Sequence, residues 1–508
     1  MHVTVDCSPV SIADVVEVAR SGARVDIAPG AVQAMGASRR VVERIVASSE
    51  VVYGITTGFG KFADRVIPSE ALERLQRNLI LSHSVGVGEP LSVDVVRAMM
   101  LLRVAALARG YSGIRPETVQ TLVDMLNADI TPVVPSRGSV GASGDLAPLA
   151  HLTLAAIGEG EVVIHGGQHL PSREALIQAG IEPVTLVAKE GLALINGTQL
   201  MTAIGCLLVW DAGNLLDVAD VVGAMSLEAV RGTNRAFDRL IQEVRPHVGQ
   251  GISADNLRRL TAGSELMSSH RHDAHKVQDP YSLRCMPQVH GASRDAMAYV
   301  RGVIEIEAGS ATDNPLIFPE QDEVISGGNF HGQPVALALD FAAIALSEIS
   351  SISERRVEAM LDPHFSELPP FLTMHAGVES GFMVSQYTAA ALVSENKILS
   401  HPASVDSIPT SANQEDHVSM GATAALKALQ VLRNAETVLA IELLCASEGL
   451  DHRRPLRSSE PLEAVHALVR SAIPRLGEDR PLSPDIEKAA AMIHGGDVRE
   501  AAMYVVAS

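Results

Sequence analysis

The sequence predicts a mainly α protein, a central bundle of long helices with a smaller mixed region at its N-terminal end. Two observations carry this prediction. The 508 residues are 47% hydrophobic but only 3% aromatic, so the core must be built from Ala, Val, Leu and Ile, which favours closely packed helices. Up to about Glu182 the segments are short and broken by Gly and Pro, whereas beyond about Thr185 long helical runs take over. A chain of this length usually divides, and the change of pattern places a mixed domain at 1–190 and a long-helix domain at 191–508. No internal repeat, low-complexity tract or linker interrupts it.

In the mixed region, Val162–Leu170 reads as a small hairpin turning at Gly166-Gly167. The stretch Gly191–Trp210 is uncharged and long enough to cross a membrane. Its first half holds Asn196, Gly197, Thr198 and Gln199, so it reads better as a buried helix with a polar start. A helix is expected over Val335–Leu361, where Leu339, Ala342, Leu346 and Ile349 recur at helical spacing on one face. Two more are expected over Gly381–Ser400 and His417–Gly449, with Pro363, Pro369 and Pro370 punctuating the gap before them. Such helices are apolar on more than one side and pack against several neighbours.

The formal charge of −20 argues against nucleic acid and anionic membranes as partners, since both select basic patches. Cys7, Cys206, Cys285 and Cys445 lie far apart with no metal or disulfide spacing, which fits a reducing cytoplasm. The opening MHVTVDCSPV lacks the basic-then-apolar pattern of a signal peptide. His270, His272 and His275 form the one local histidine cluster, but their spacing matches no zinc site, and a solvated loop without metal is expected.

Chemistry is concentrated in GSVGASGDLAPLAHL, Gly138–Leu152. Residue by residue, this is a Gly-rich turn before a helix, with Asp145 as cap and Pro148 in the first turn. The same bend would let the Gly144 amide nitrogen reach the Ala142 carbonyl carbon. Cyclisation and dehydration of Ser143 would then leave a methylene conjugated to a carbonyl, an electrophile that no unmodified side chain offers. The whole string closely resembles the signature of the aromatic amino acid ammonia-lyases, in which Ala-Ser-Gly self-cyclises to 4-methylidene-imidazol-5-one. Ala142, Ser143 and Gly144 are the matching residues.

The resemblance extends along nearly the whole chain and gives other motifs a meaning that their spacing alone does not. It implies a fumarase/aspartase-like bundle, a homotetramer and no metal. The YGITTGFG loop, Tyr53–Gly60, matches the family's lid, with Tyr53 catalytic. In QDPYSLR, Asp279 and Pro280 read as cap and first helical position, and Tyr281 and Arg284 share a helix face. The resemblance makes Tyr281 the second catalytic tyrosine and Arg284 the carboxylate anchor, with Gln278 also binding substrate. Asn196 in INGTQ contacts the prosthetic group and the polar end of the substrate, and Phe330 in GGNFHG lines the ring pocket.

Two positions point to the substrate. Glu415, in SANQEDHVS, reads as part of a capping segment on its own. By resemblance it reads the substrate ring, and histidine-specific members carry Glu there where phenylalanine and tyrosine lyases tend to carry Gln. A carboxylate suits an imidazole N–H, whereas a phenyl ring would leave it buried and unpaired. His83 in LSHSVGVG disfavours phenylalanine, and Ser84 stands where tyrosine lyases usually have Leu. The expected reaction is elimination of ammonia from L-histidine to trans-urocanate, the first step of histidine degradation. The alternatives are a tyrosine lyase or aminomutase of the same family, or a non-catalytic helical scaffold with an uncyclised triplet. Glu415 weighs against the first group, and retention of every matched position weighs against the second.

Overall fold

The computed structural model describes residues 2–270 and 277–507, so His272 and His275 lie outside the described residues. The chain forms two compact units, each assembled from three stretches. The first comprises Met1–Trp210, Arg301–Asp340 and Pro402–Leu426, and the second Asp211–Val300, Phe341–His401 and Lys427–Ser508. The sequence reading divides the chain once, at 190, whereas these units interleave along it.

The first unit carries every strand among the described residues. Val162–Leu170 is a hairpin: Glu161–Ile164 pairs antiparallel with Gln168–Pro171. Gly166 and Gly167 turn it at φ +78° and +81°, the positive angles that match the twist of the flanking strands. Thr131–Pro132 adds a third strand on the far side of Glu161–Ile164. The centre of this unit is the helix Val93–Ala108, buried continuously from Val95 onward. The amphipathic helices Ile12–Arg20 and Pro116–Asn127 pack against it. The first of these begins with a capping box, Ser11 with Asp14, and the second with Pro116 in its first turn.

Three long helices expected from the sequence form, Gln333–Leu361, Met383–Leu399 and Gly421–His452, whereas the single helix expected over Gly191–Trp210 is broken at Asn196–Thr198 into Glu190–Ile195 and the start of Gln199–Ala229. Gly421–His452 starts four residues later than its pattern predicts. Met420 is left-handed, at φ +54°, and its N–H is tied to Val140 O at 2.9 Å, so the helix cannot begin before Gly421. Gln199–Ala229 and Gln333–Leu361 are long and apolar enough to span a membrane, yet 78% and 67% of their apolar windows are buried within the protein.

In the second unit, Glu442 is fully buried and accepts hydrogen bonds from Ser226, Ser353 and the Arg356 guanidinium. Its charge is therefore paired as well as hydrogen-bonded, the condition under which a buried ion is tolerated. His290 and Asp220 form a second buried pair at 2.8 Å. The four cysteines are free thiols, and burial pushes Cys206 up to about 12, leaving it unreactive.

Candidate active site

A cavity of about 1050 Å³ in the first unit is lined by Tyr53, His83, Ala142, Ser143, Asn196, Phe330 and Glu415. These residues come from stretches scattered between positions 53 and 415, and all were expected from the sequence. Gln278, Tyr281 and Arg284 belong to the second unit and do not line this cavity.

The Ala-Ser-Gly loop is held very tightly. Gly144 lies at φ +71°, and an added Cβ would overlap the Gly197 carbonyl and sit 2.9 Å from Gly197 Cα. Only glycine satisfies both conditions. Gly144 pairs with Gly197 in an isolated bridge, and Asp145 N–H donates to Gly197 O at 2.7 Å. On the other side, Ser419 Oγ donates to Gly141 O at 3.2 Å. Three long-helix starts crowd this loop. Met201, in the first turn of Gln199–Ala229, lies where a Cβ on Gly332 or Gly421 would meet its sulfur at 2.5 or 2.6 Å. Gly332 immediately precedes Gln333–Leu361 and Gly421 begins the last long helix, so three positive helix ends gather beside the loop.

Asp145 occupies the cap position of Leu146–Ala156, but its side chain makes no cap hydrogen bond there, a correction to the sequence reading. Its carboxylate instead accepts from Met201 N–H at 3.0 Å and from Ser139 Oγ at 3.1 Å. It thus caps the start of a different helix. Burial pushes Asp145 up to about 6 despite these hydrogen bonds.

Glu415 reaches the triplet at Ser143. One carboxylate oxygen accepts from Ser143 Oγ at 3.1 Å, and the other from Thr410 Oγ1 at 2.6 Å. Thr410 N–H also donates to Glu415 O at 2.9 Å. Between them, Ser411, Ala412 and Asn413 are all left-handed, at φ +50°, +54° and +66°. Each costs roughly 1–2 kcal/mol for a residue bearing a side chain, and such strain persists only where the surroundings dictate the conformation.

Burial holds the His83 imidazole below its ordinary value, opposed by a backbone hydrogen bond with Leu79 and by nearby Glu415. Tyr53 OH accepts from Gly60 N–H at 3.4 Å, tying the phenol to its own loop. Asn196 is buried, and its amide nitrogen donates to Asp313 Oδ1 at 3.3 Å and Asn314 O at 3.0 Å. Its Oδ1 has no hydrogen-bond partner among the described residues.

In the second unit, Tyr281–Arg284 is a single helical turn with Pro280, not Asp279, at its cap position. Asp279 instead accepts from Thr233 N–H at 2.7 Å. The Arg284 guanidinium lies 4.6 Å from the centroid of the Tyr281 ring, the shared face expected of residues three apart. His270 is buried, with Nε2 2.9 Å from Gly232 O, rather than solvated as expected. No group of three metal-ligating side chains occurs among the described residues.

Sequence reasoning missed two features of the site. His331 and His417 stack 5.9 Å apart on the cavity wall, with interplanar angle 6°. Each adjoins a motif residue, but only the fold brings them together. Behind Asn196, Lys189 and Asp313 form a buried ion pair at 2.8 Å. Burial depresses the lysine while Asp313 opposes that shift.

Comparison with known proteins places these features in a family. Residues 10–471 match the model of the aromatic amino acid lyases. A histidine ammonia-lyase of Caldanaerobacter subterraneus subsp. tengcongensis is 55% identical over 498 residues, covering 98% of this chain and 97% of the relative. The crystal structure of histidine ammonia-lyase from Trypanosoma cruzi superposes with a TM-score of 0.92 at 46% identity, covering 99% of this chain and 95% of that one. A tyrosine aminomutase from Streptomyces globisporus superposes with a TM-score of 0.94 at 38% identity, covering 99% and 98%. The chain belongs to the aromatic amino acid lyase family.

Proposed function

We propose that this chain is a histidine ammonia-lyase, which eliminates ammonia from L-histidine to give trans-urocanate. Its electrophile is a 4-methylidene-imidazol-5-one made from Ala142, Ser143 and Gly144, and it works as a cytoplasmic homotetramer. The observation that carries the substrate assignment is Glu415, a carboxylate in the cavity wall beside Ser143 and electrostatically coupled to His83. The full-length likeness to histidine ammonia-lyases supports it.

The residues present fit the prosthetic group. Gly144 sits in a left-handed niche with no room for a Cβ, and the flanking residues are anchored on both sides. Once formed, the group supplies an electrophile that can improve the amine as a leaving group or acidify the β-position through the imidazole.

The chain's own residues bind and move the proton. Glu415 accepts from the imidazole N–H, a contact that a phenyl ring cannot return. His83, whose imidazole burial holds below its ordinary value, contacts the ring from the other side, and Phe330 packs on its face. The free Oδ1 of Asn196 takes a donor from the polar end of the substrate. Tyr53 removes the β-proton. Tyr281, which assists, and Arg284 and Gln278, which hold the substrate carboxylate, do not line the cavity of their own chain and reach it from another subunit of the homotetramer. The helix starts gathered at the triplet favour negative charge developing there. Incubation with L-histidine, L-tyrosine and L-phenylalanine separately, with product identification, tests the reading. Trans-urocanate and ammonia from L-histidine alone are expected, and a β-amino acid from any of the three would make the chain an aminomutase.

A further inference from the structure

We infer that Glu415 serves the protein before it ever meets substrate: its carboxylate holds the Ser143 hydroxyl in position for the dehydration that builds the electrophile. This rests on the proposed prosthetic group. It adds a maturation role to a residue otherwise assigned only to reading the substrate ring.

In the unprocessed chain, the Ser143 hydroxyl donates to Glu415 Oε1 at 3.1 Å, a bond that fixes where the Cβ–O bond points. Glu415 is itself immobilised. Its second oxygen is held by Thr410 Oγ1 at 2.6 Å, and its backbone is paired with Thr410 across three left-handed residues. The strain in that loop thus aims an acceptor at one particular hydroxyl. The bookkeeping of maturation shows why this matters. The Gly144 nitrogen bonds to the Ala142 carbonyl carbon, and the carbonyl oxygen leaves as water with the amide protons of Gly144 and Ser143. The Ser143 hydroxyl then leaves as a second water with the Ser143 Cα proton, creating the methylidene double bond. No oxidant or reductant is needed. The second loss requires the Cβ–O bond to be aligned with the breaking Cα–H bond, and the hydrogen bond to Glu415 is the restraint on that torsion. Departure of the hydroxyl frees the carboxylate for an incoming imidazole, so one group performs two successive tasks.

An acceptor oxygen suffices for the first task, whereas the second uses the charge. The two are therefore separable by substitution. The full chain is made by cell-free translation, quenched at timed intervals, and its intact mass followed for loss of two water molecules, with Ser143→Ala as the unprocessed reference. Glu415→Ala should mature about tenfold more slowly than wild type, the effect of losing one hydrogen bond. Glu415→Gln, which keeps an acceptor oxygen, should mature at the wild-type rate while losing activity on L-histidine. Thr410→Val, which keeps both the Ser143 hydroxyl and the carboxylate but removes the bond that holds the carboxylate, should also slow maturation. Equal maturation of Glu415→Ala and wild type overturns the inference, as does a Glu415→Gln rate as slow as that of Glu415→Ala. A wild-type chain that stays at full mass overturns the prosthetic group itself, and so distinguishes failure of that reading from failure of this one.

Discussion

Replacing Gly144 by Ala tests how tightly the structure holds the triplet. The new Cβ would enter at φ +71°, overlap the Gly197 carbonyl, and lie 2.9 Å from Gly197 Cα. A left-handed conformation costs a residue with a side chain about 1–2 kcal/mol. Relieving the overlap requires the two backbones to part, which breaks the 2.7 Å hydrogen bond from Asp145 N–H to Gly197 O, worth about 1 kcal/mol. Together these give a local destabilisation of roughly 2–3 kcal/mol, or about a thirty- to hundredfold loss of protection. Hydrogen exchange at the Asp145 amide is the assay, with intact mass on the same sample. Faster exchange and an undehydrated chain are expected. Gly36→Ala is the control, since its helix interior offers only an ordinary 3.7 Å contact to Arg40, and it should gain up to about 1 kcal/mol. A Gly144→Ala protein with wild-type protection and full dehydration would refute the reasoning.

Other consequences follow from the same structure. Asp145 binds its proton more tightly when folded, at about 6 against an ordinary 3.8, so its contribution to stability is complete below 3.8 and is lost as pH rises towards and through 6. The loss amounts to roughly 3 kcal/mol. The stability difference between wild type and Asp145→Asn, measured by denaturant titration from pH 4 to 7, should show that slope; a flat difference would contradict it. Asp313→Asn leaves the buried Lys189 ammonium without its counter-charge and should cost about 3–5 kcal/mol, which denaturant unfolding would detect. Tyr53→Phe should lower kcat on L-histidine by about 10²–10⁴-fold while the chain still loses two water molecules on maturation, and full turnover would remove Tyr53 from its role.

Much of the cavity was legible because its residues sit in motifs whose types and order are distinctive. Ala142, Ser143, Tyr53, His83, Asn196, Phe330 and Glu415 line one cavity. The hairpin at Gly166-Gly167 and the long helices were legible for a different reason, since turn chemistry and helical periodicity act over a few residues. What stayed hidden depends on partners remote in sequence. Asp145 and Asp279 both sit where a local rule makes them caps. Each carboxylate instead takes an N–H from elsewhere, Met201 for one and Thr233 for the other, because burial rewards the donor that tertiary packing supplies. The stacked pair His331 and His417 and the interleaving of the two units are hidden for the same reason. The start of the last long helix was misplaced by the Met420 tie to Val140, again a distant contact overruling a local pattern.

The central claim is that this chain makes its own electrophile from Ala142, Ser143 and Gly144. Intact mass of the purified wild-type protein tests it most directly. A chain lighter than its sequence by two water molecules, with the loss mapped to the peptide containing the triplet, is the result the account predicts. A chain at its full unmodified mass would contradict it.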